Sequence, residues 1–203
     1  MRLKKTPAVV CAVMMLSLLL PALPSMARPG YSDQRQLSEK AKSRNQKETI
    51  SAFQKQVKQY VRVRNRVARR LPHISKDATP EQIEAHKEAF EDAVRKVRPN
   101  SKPAQIFSPD IATYIRTKIR SEFKGEDRRE IRETILEADT RGVPLRVNYQ
   151  YPEAKELAEV PATLLLKLPQ LPKEVKYRFA RKHLLLVDRE NGLIVDYMTN
   201  ALP

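Results

Sequence analysis

The stretch "LLLVDRENGLIVDYM", from Leu184 to Met198, constrains the fold more than any other part of the chain. Successive side chains of a strand point to opposite faces of its sheet. Four apolar residues in a row, Leu184 to Val187, therefore present apolar surface on both faces, and such a strand needs cover on both sides. Asn191-Gly192 lies between this run and the next, a strong signal for a hairpin. Upstream, "VKYRF" (Val175 to Phe179) alternates as a strand does, and so does "VPLRVNYQYP", with Leu145, Val147, Tyr149 and Tyr151 on one side. The proline-bounded "VPATLLLKLP" suits one or two helical turns starting at Pro161.

What can cover such a sheet is found earlier in the chain. Ile50, Phe53, Val57, Tyr60, Val61, Val67, Ala68 and Leu71 fall in one stripe at 100° per residue. Pro72 closes that segment. "DATPEQIEAHKEAFEDAVRKVRP" carries an N-cap at Thr79, proline at the first helical position and Gln82 to complete a capping box. Its Ile83, His86, Phe90, Ala93, Val94 and Val97 share a face. "FSPDIATYIRTKIRSEF" repeats the device, with Ser108 as cap and Ile111, Ile115, Ile119 and Phe123 at four-residue steps. A fourth, shorter helix is expected from about Glu126 to Ala138, with Ile131, Ile135 and Leu136 inward. The fold class is α+β: N-terminal amphipathic helices, then a small C-terminal antiparallel sheet ending in a hairpin. The predicted organisation is a signal peptide over 1–27, a disordered lead-in over 28–47 and a basic amphipathic helix over 48–72. A single domain over 73–203 follows, with helices at about 79–138 and sheet at about 144–199.

The signal-peptide expectation rests on Arg2, Lys4 and Lys5, the apolar run Ala8 to Leu20, and small residues at Ser25 and Ala27. The run is short for a membrane span and is followed at once by prolines. Cleavage after Ala27 would remove Cys11, the single cysteine, so neither a disulfide nor a catalytic thiol is expected. The compartment expected is the periplasm or the exterior.

Charge is unevenly spread. Arg28 to Ser75 holds 13 basic and three acidic residues, whereas Lys76 to Pro203 holds 23 basic and 21 acidic. Within the first helix, Lys55, Lys58, Arg62, Arg66 and Arg69 lie opposite the apolar stripe and are the candidate binding residues for an anionic surface. Arg64 projects into the stripe itself. Its stem can lie along apolar surface with the head in water, the reading favoured here, or the head can pair with a buried carboxylate.

Recognisable catalytic chemistry is lacking. The glycines at 30, 125, 142 and 192 stand apart, so no phosphate loop, dinucleotide fingerprint or nucleophile elbow can be built from them. His73, His86 and His183 fall in different elements, and His86 reads as a boundary residue on an apolar face. Asp188 and Asp196 flank the terminal hairpin; they could form a carboxylate pair, but turn-flanking aspartates are more often ordinary solvated residues, the reading adopted here. No enzyme, metal or cofactor is expected.

The C-terminal stretch "EVPATLLLKLPQLPKEVKYRFARKHLLLVDRENGLIVDYMTNALP" resembles the ending of a group of exported bacterial proteins of uncharacterised function. The shared features are a proline-bounded leucine segment, "YRF" and the hairpin. The hairpin, through Tyr177, Leu186, Asp188 and Ile194, is also similar to the last module of small periplasmic nickel/cobalt-homeostasis proteins. These resemblances imply an envelope location and carry no functional residues.

The expected function is therefore a non-enzymatic envelope protein whose basic helix contacts a membrane surface, a glycan or an acidic partner protein. The alternatives are a small periplasmic stress or metal-homeostasis protein and a hydrolase-like enzyme without a motif. Export, and the want of aromatic residues among the arginines, argue against nucleic acid. On a membrane the apolar stripe would insert and the basic face would meet headgroups. The bland alternative has the stripe packed on the second helix and the basic face solvated or paired with Glu84, Glu88 and Glu91.

Overall fold

A computed structural model describes residues 31–138 and 142–202. The segment 1–27 read as a signal peptide lies outside the described residues. The chain divides into two units, Met1–Ser38 and Glu39–Pro203.

Helix α1 (Tyr31–Ala68) starts well before the expected boundary. The lead-in over 28–47, expected to be disordered, is thus helical from Tyr31 onward. Its serines and charged residues are tolerable on a solvated helix surface, and only Gly30 and Pro29 are strong breakers. The α-helix also stops at Ala68 rather than at 72. It loosens through bonds from Arg70 N to Val67 O and Leu71 N to Ala68 O before Pro72.

Helix α2 (Pro80–Val97) begins with the expected capping box: Gln82 N donates to Thr79 Oγ1 at 3.4 Å, and Thr79 N to Gln82 Oε1 at 2.9 Å. Phe90 and Val94 are buried against Val67 and Leu193, but Ile83 and Val97, near its two ends, are exposed. Helix α3 (Pro109–Glu122) buries Ile111, Ala112, Ile115 and Ile119. Ser108 occupies its N-cap, but the side chain makes no capping bond; only the backbone carbonyl is used, by Ala112 N at 2.9 Å. A single 3-10 turn (Glu126–Arg128) leads into helix α4 (Arg129–Glu137), which buries Ile135.

Strands β1 (Ala158–Glu159), β2 (Val175–Ala180), β3 (His183–Asp188) and β4 (Ile194–Met198) form one antiparallel sheet in sequence order. One helical turn, α5 (Ala162–Leu165), follows β1. The strand expected over Leu145 to Tyr151 is absent. Arg146 O instead accepts from Tyr149 N, and Asn148 takes a positive φ of 65°, so the backbone turns where a strand would run on. An isolated bridge, Gln150 to Leu193, is what remains of it.

The sheet is covered on both faces, as the leucine run requires. Leu184 and Leu186 join the core with Phe53, Val57 and Tyr60 of α1 and the isoleucines of α3. Leu185 and Val187 meet Tyr151, Ile194 and the partly buried Val143 and Leu145 on the other side. The β3–β4 register shifts between Leu186, opposite Asp196, and Val187, opposite Ile194. Val195 is thus an extra residue, and this bulge turns both Val195 and Asp196 toward the helices.

Candidate functional site

The apolar stripe of α1 decides how its charges are displayed. Phe53, Val57, Tyr60 and Val67 are buried, and Ile50, Val61, Ala68 and Leu71 are partly so. The four buried residues sit about 180° around the helix from the basic row, within about 40° either way, and the partly buried ones within about 80°. The stripe is therefore spent on the protein's own core. Insertion of this face into a membrane, expected as one mode of binding, is overturned by that packing.

Packing in turn fixes Lys55, Lys58, Arg62, Arg66 and Arg69 outward, and all five are exposed. Arg69 stands one residue past the α-helix, in the closing turn. The row runs for about 21 Å along the axis at 1.5 Å per residue. Among the described residues none of the five makes an ion pair. Of the acids considered as partners, Glu84 faces Lys87 at 3.9 Å, and Glu91 holds Arg95 at 3.2 Å and accepts from Gln150 N at 2.8 Å. Lys58, Arg62 and Arg66 follow one another at i, i+4. Each like-charge pair costs an isolated helix about 0.2–0.5 kcal/mol. The row thus repels itself.

Sequence reasoning missed the continuation of this row. Because the helix starts at Tyr31, Lys40 and Arg44 extend the same face; both are exposed, and Arg44 donates to Glu48 at 3.0 Å. The polarity of the lead-in concealed this, although a charged helix surface has the same composition as a coil.

Arg64, opposite the row, is largely withdrawn from water. It is 8% exposed; its Nε donates to Asp188 Oδ2 at 3.1 Å, and its Nη2 bonds the exposed Glu190. The favoured reading of a solvated head is thereby corrected. Asp188 is fully buried, taking the Tyr60 hydroxyl at 3.0 Å on Oδ2 and the Glu190 and Asn191 amides at 3.1 and 3.0 Å on Oδ1. It does hold the hairpin turn as turn aspartates do, but α1 lies over it, so it is not solvated. Burial, then the Asp188 charge, push the Tyr60 hydroxyl well above its ordinary pKa, keeping it a donor. Arg98 stacks over the Tyr60 ring at 5.0 Å and bonds Asn148.

Asp196, also expected to be solvated, is 1% exposed. It accepts from Ala104 N at 2.8 Å, Ile106 N at 2.6 Å and Phe107 N at 2.8 Å, and so ties down the loop before α3. Burial raises its pKa despite these amides. The two aspartates act as structural clamps on separate segments. The histidines are not brought together: His73 is exposed, His86 half-buried, and His183 accepts from Asn200 N at 3.4 Å. Among the described residues no group of three His, Cys, Asp or Glu side chains could hold a metal ion, and no helix is long and apolar enough to cross a membrane. Compared with protein-family models, curated proteins and solved structures, the chain matches none.

Proposed function

We propose that the protein is an exported, non-enzymatic envelope protein that binds an anionic surface through Lys55, Lys58, Arg62, Arg66 and Arg69. The observation that carries this reading is the cationic row itself: five exposed side chains on one face of a helix whose opposite face is locked into the core, without acidic partners among the described residues. Because the apolar stripe is buried, the attraction is electrostatic. Each basic residue near an anionic lipid surface contributes about 1 kcal/mol, and screening limits its reach to about 8 Å at physiological salt. Export rests on the N-terminal pattern, and an N-terminus at Arg28 in protein taken from its host is its mark.

The experiment is co-sedimentation with anionic vesicles or polyanionic glycan across a salt series. Wild type should bind at low salt and release as salt rises. The variant with all five residues changed to Gln keeps helix propensity and most of each stem, and should lose most of the binding. Equal binding by that variant, with the same salt slope, would reduce the row to a solvated surface.

A further inference from the structure

We infer that the occupant of this face is an anionic lipid leaflet, and that Leu165 and Leu166 enter it as an apolar anchor beside the cationic row; this rests on the electrostatic reading above. Among the exposed large apolar residues described, these two are adjacent in sequence and Leu166 is the most exposed. In "PATLLLKLP", Leu164 and Leu168 point inward and are buried, while Leu165 is 44% and Leu166 89% exposed. A fraying terminus could account for such exposure, but this is an internal turn pinned from several sides. Leu165 N donates to Pro161 O at 2.9 Å and Leu166 N to Ala162 O at 3.1 Å. The Tyr114 hydroxyl donates to Lys167 O at 3.3 Å, and the Tyr177 hydroxyl to Pro169 O at 3.1 Å. Thr163 and Lys167 both bond Glu122. Two adjacent leucines held in water by a rigid frame offer an apolar surface of the kind used to meet a partner.

What that partner is follows from the surroundings. The segment after the turn is bonded to α1: Gln54 Nε2 donates to Gln170 O at 3.2 Å, and Gln54 directly precedes Lys55. The segment that follows the leucine turn thus reaches α1 one residue before the first member of the cationic row. Lys118 adds a further cation close by, over the ring of the same Tyr114 that holds the turn, at 5.2 Å. Lys173 is exposed just beyond the prolines. An apolar tip flanked by cations complements one surface in particular, where hydrocarbon lies under a layer of negative headgroups. A polyanionic glycan would satisfy the cations and leave the leucines in water.

The chain has no tryptophan, so Leu166→Trp introduces a single reporter at an exposed position. Its emission is followed on adding vesicles of phosphatidylcholine alone or mixed with phosphatidylglycerol, the latter also with brominated acyl chains. With phosphatidylglycerol present the emission should shift to the blue and be quenched by bromine; with phosphatidylcholine alone it should not change. In the wild-type background, changing both Leu165 and Leu166 to Ser should weaken partition into the mixed vesicles by at least about tenfold, given what burial of a leucine contributes. If the protein sediments with the mixed vesicles while the reporter stays unshifted, the leucines do not insert, and only the electrostatic reading survives. A blue shift that grows with protein concentration without vesicles would assign the leucines to a second copy of the chain and overturn the proposal. Binding to polyanionic glycan but not to vesicles would overturn it also. Binding to neither sinks both readings.

Discussion

Replacing Arg64 by Met removes a buried cation and keeps most of the stem that packs beneath it. Asp188 would stay behind, fully buried, with the Tyr60 hydroxyl and the Glu190 and Asn191 amides as donors but without a counter-charge. Removing one partner of a buried pair in this way costs about 3–5 kcal/mol. The Glu190 arm adds little, because that side chain is 71% exposed and screened by water. With a urea m-value of about 2 kcal/mol/M for a domain of this size, the unfolding midpoint should fall by roughly 2 M. Removing both charges, as Arg64→Met with Asp188→Leu, should recover part of the loss, since an apolar replacement of a buried pair is often neutral. The recovery is incomplete, because Tyr60 and the two turn amides lose their acceptor. The assay is urea unfolding followed by circular dichroism for wild type, both single variants and the double variant. A shift under about 0.5 M for Arg64→Met, with unchanged slope, would mean that the guanidinium is solvated and contributes little to holding α1 on the hairpin.

Two further outcomes follow from the core. Leu186→Ala, at a fully buried position between α1 and α3, should destabilise by about 2–5 kcal/mol in the same assay; an unmoved midpoint would place the hairpin outside the core. Burial chiefly holds the hydroxyls of Tyr60 and Tyr177 protonated above the ordinary tyrosine range. A raised folded pKa stabilises fully below the unfolded value, near 10, and that stability is lost as pH rises beyond it. Two of the seven tyrosines should therefore ionise only together with unfolding, in an ultraviolet titration run beside circular dichroism.

The elements legible in the sequence were those whose signal is local. The capping box at Thr79, the period of four through α3 and the leucine run of β3 each state their own geometry, and each is found. Misreadings arose where tertiary partners decide. Leu145, Val147, Tyr149 and Tyr151 alternate like a strand, yet Asn148 turns the backbone between them; Asn148 N donates to Ile194 O of the hairpin, and Ile194 N donates back to Tyr149 O. Asp188 and Asp196 look like turn residues because they are; what buries them lies 80 to 130 residues away in sequence. The cationic row itself was legible, since helical period and charge suffice. Its extension through Lys40 and Arg44, and the anchor at Leu165–Leu166, were not. The first looks like coil and the second like core until the fold shows which leucines are left over.

The buried pair and the cationic row are linked through the rotation of α1. The apolar stripe alone is wide: Phe53, Val57, Tyr60 and Val67 would stay largely buried if the helix rolled by a fraction of a turn. Arg64 narrows that freedom. Its Nε must meet Asp188, which is itself held by the turn amides of the hairpin, while Tyr60, one turn earlier, must meet the same carboxylate oxygen. Only one rotation of α1 satisfies both. The β4 bulge places Asp196 on the same side, where it fixes the loop leading into α3, and Arg98 stacks on Tyr60 between the two clamps. A buried ion pair often adds little net stability against an apolar substitute, and its best-attested use is to select one register. Here the register selected is the one that turns the row from Lys55 to Arg69 to the outside. The terminal hairpin thereby sets which face of the first helix is turned to the outside.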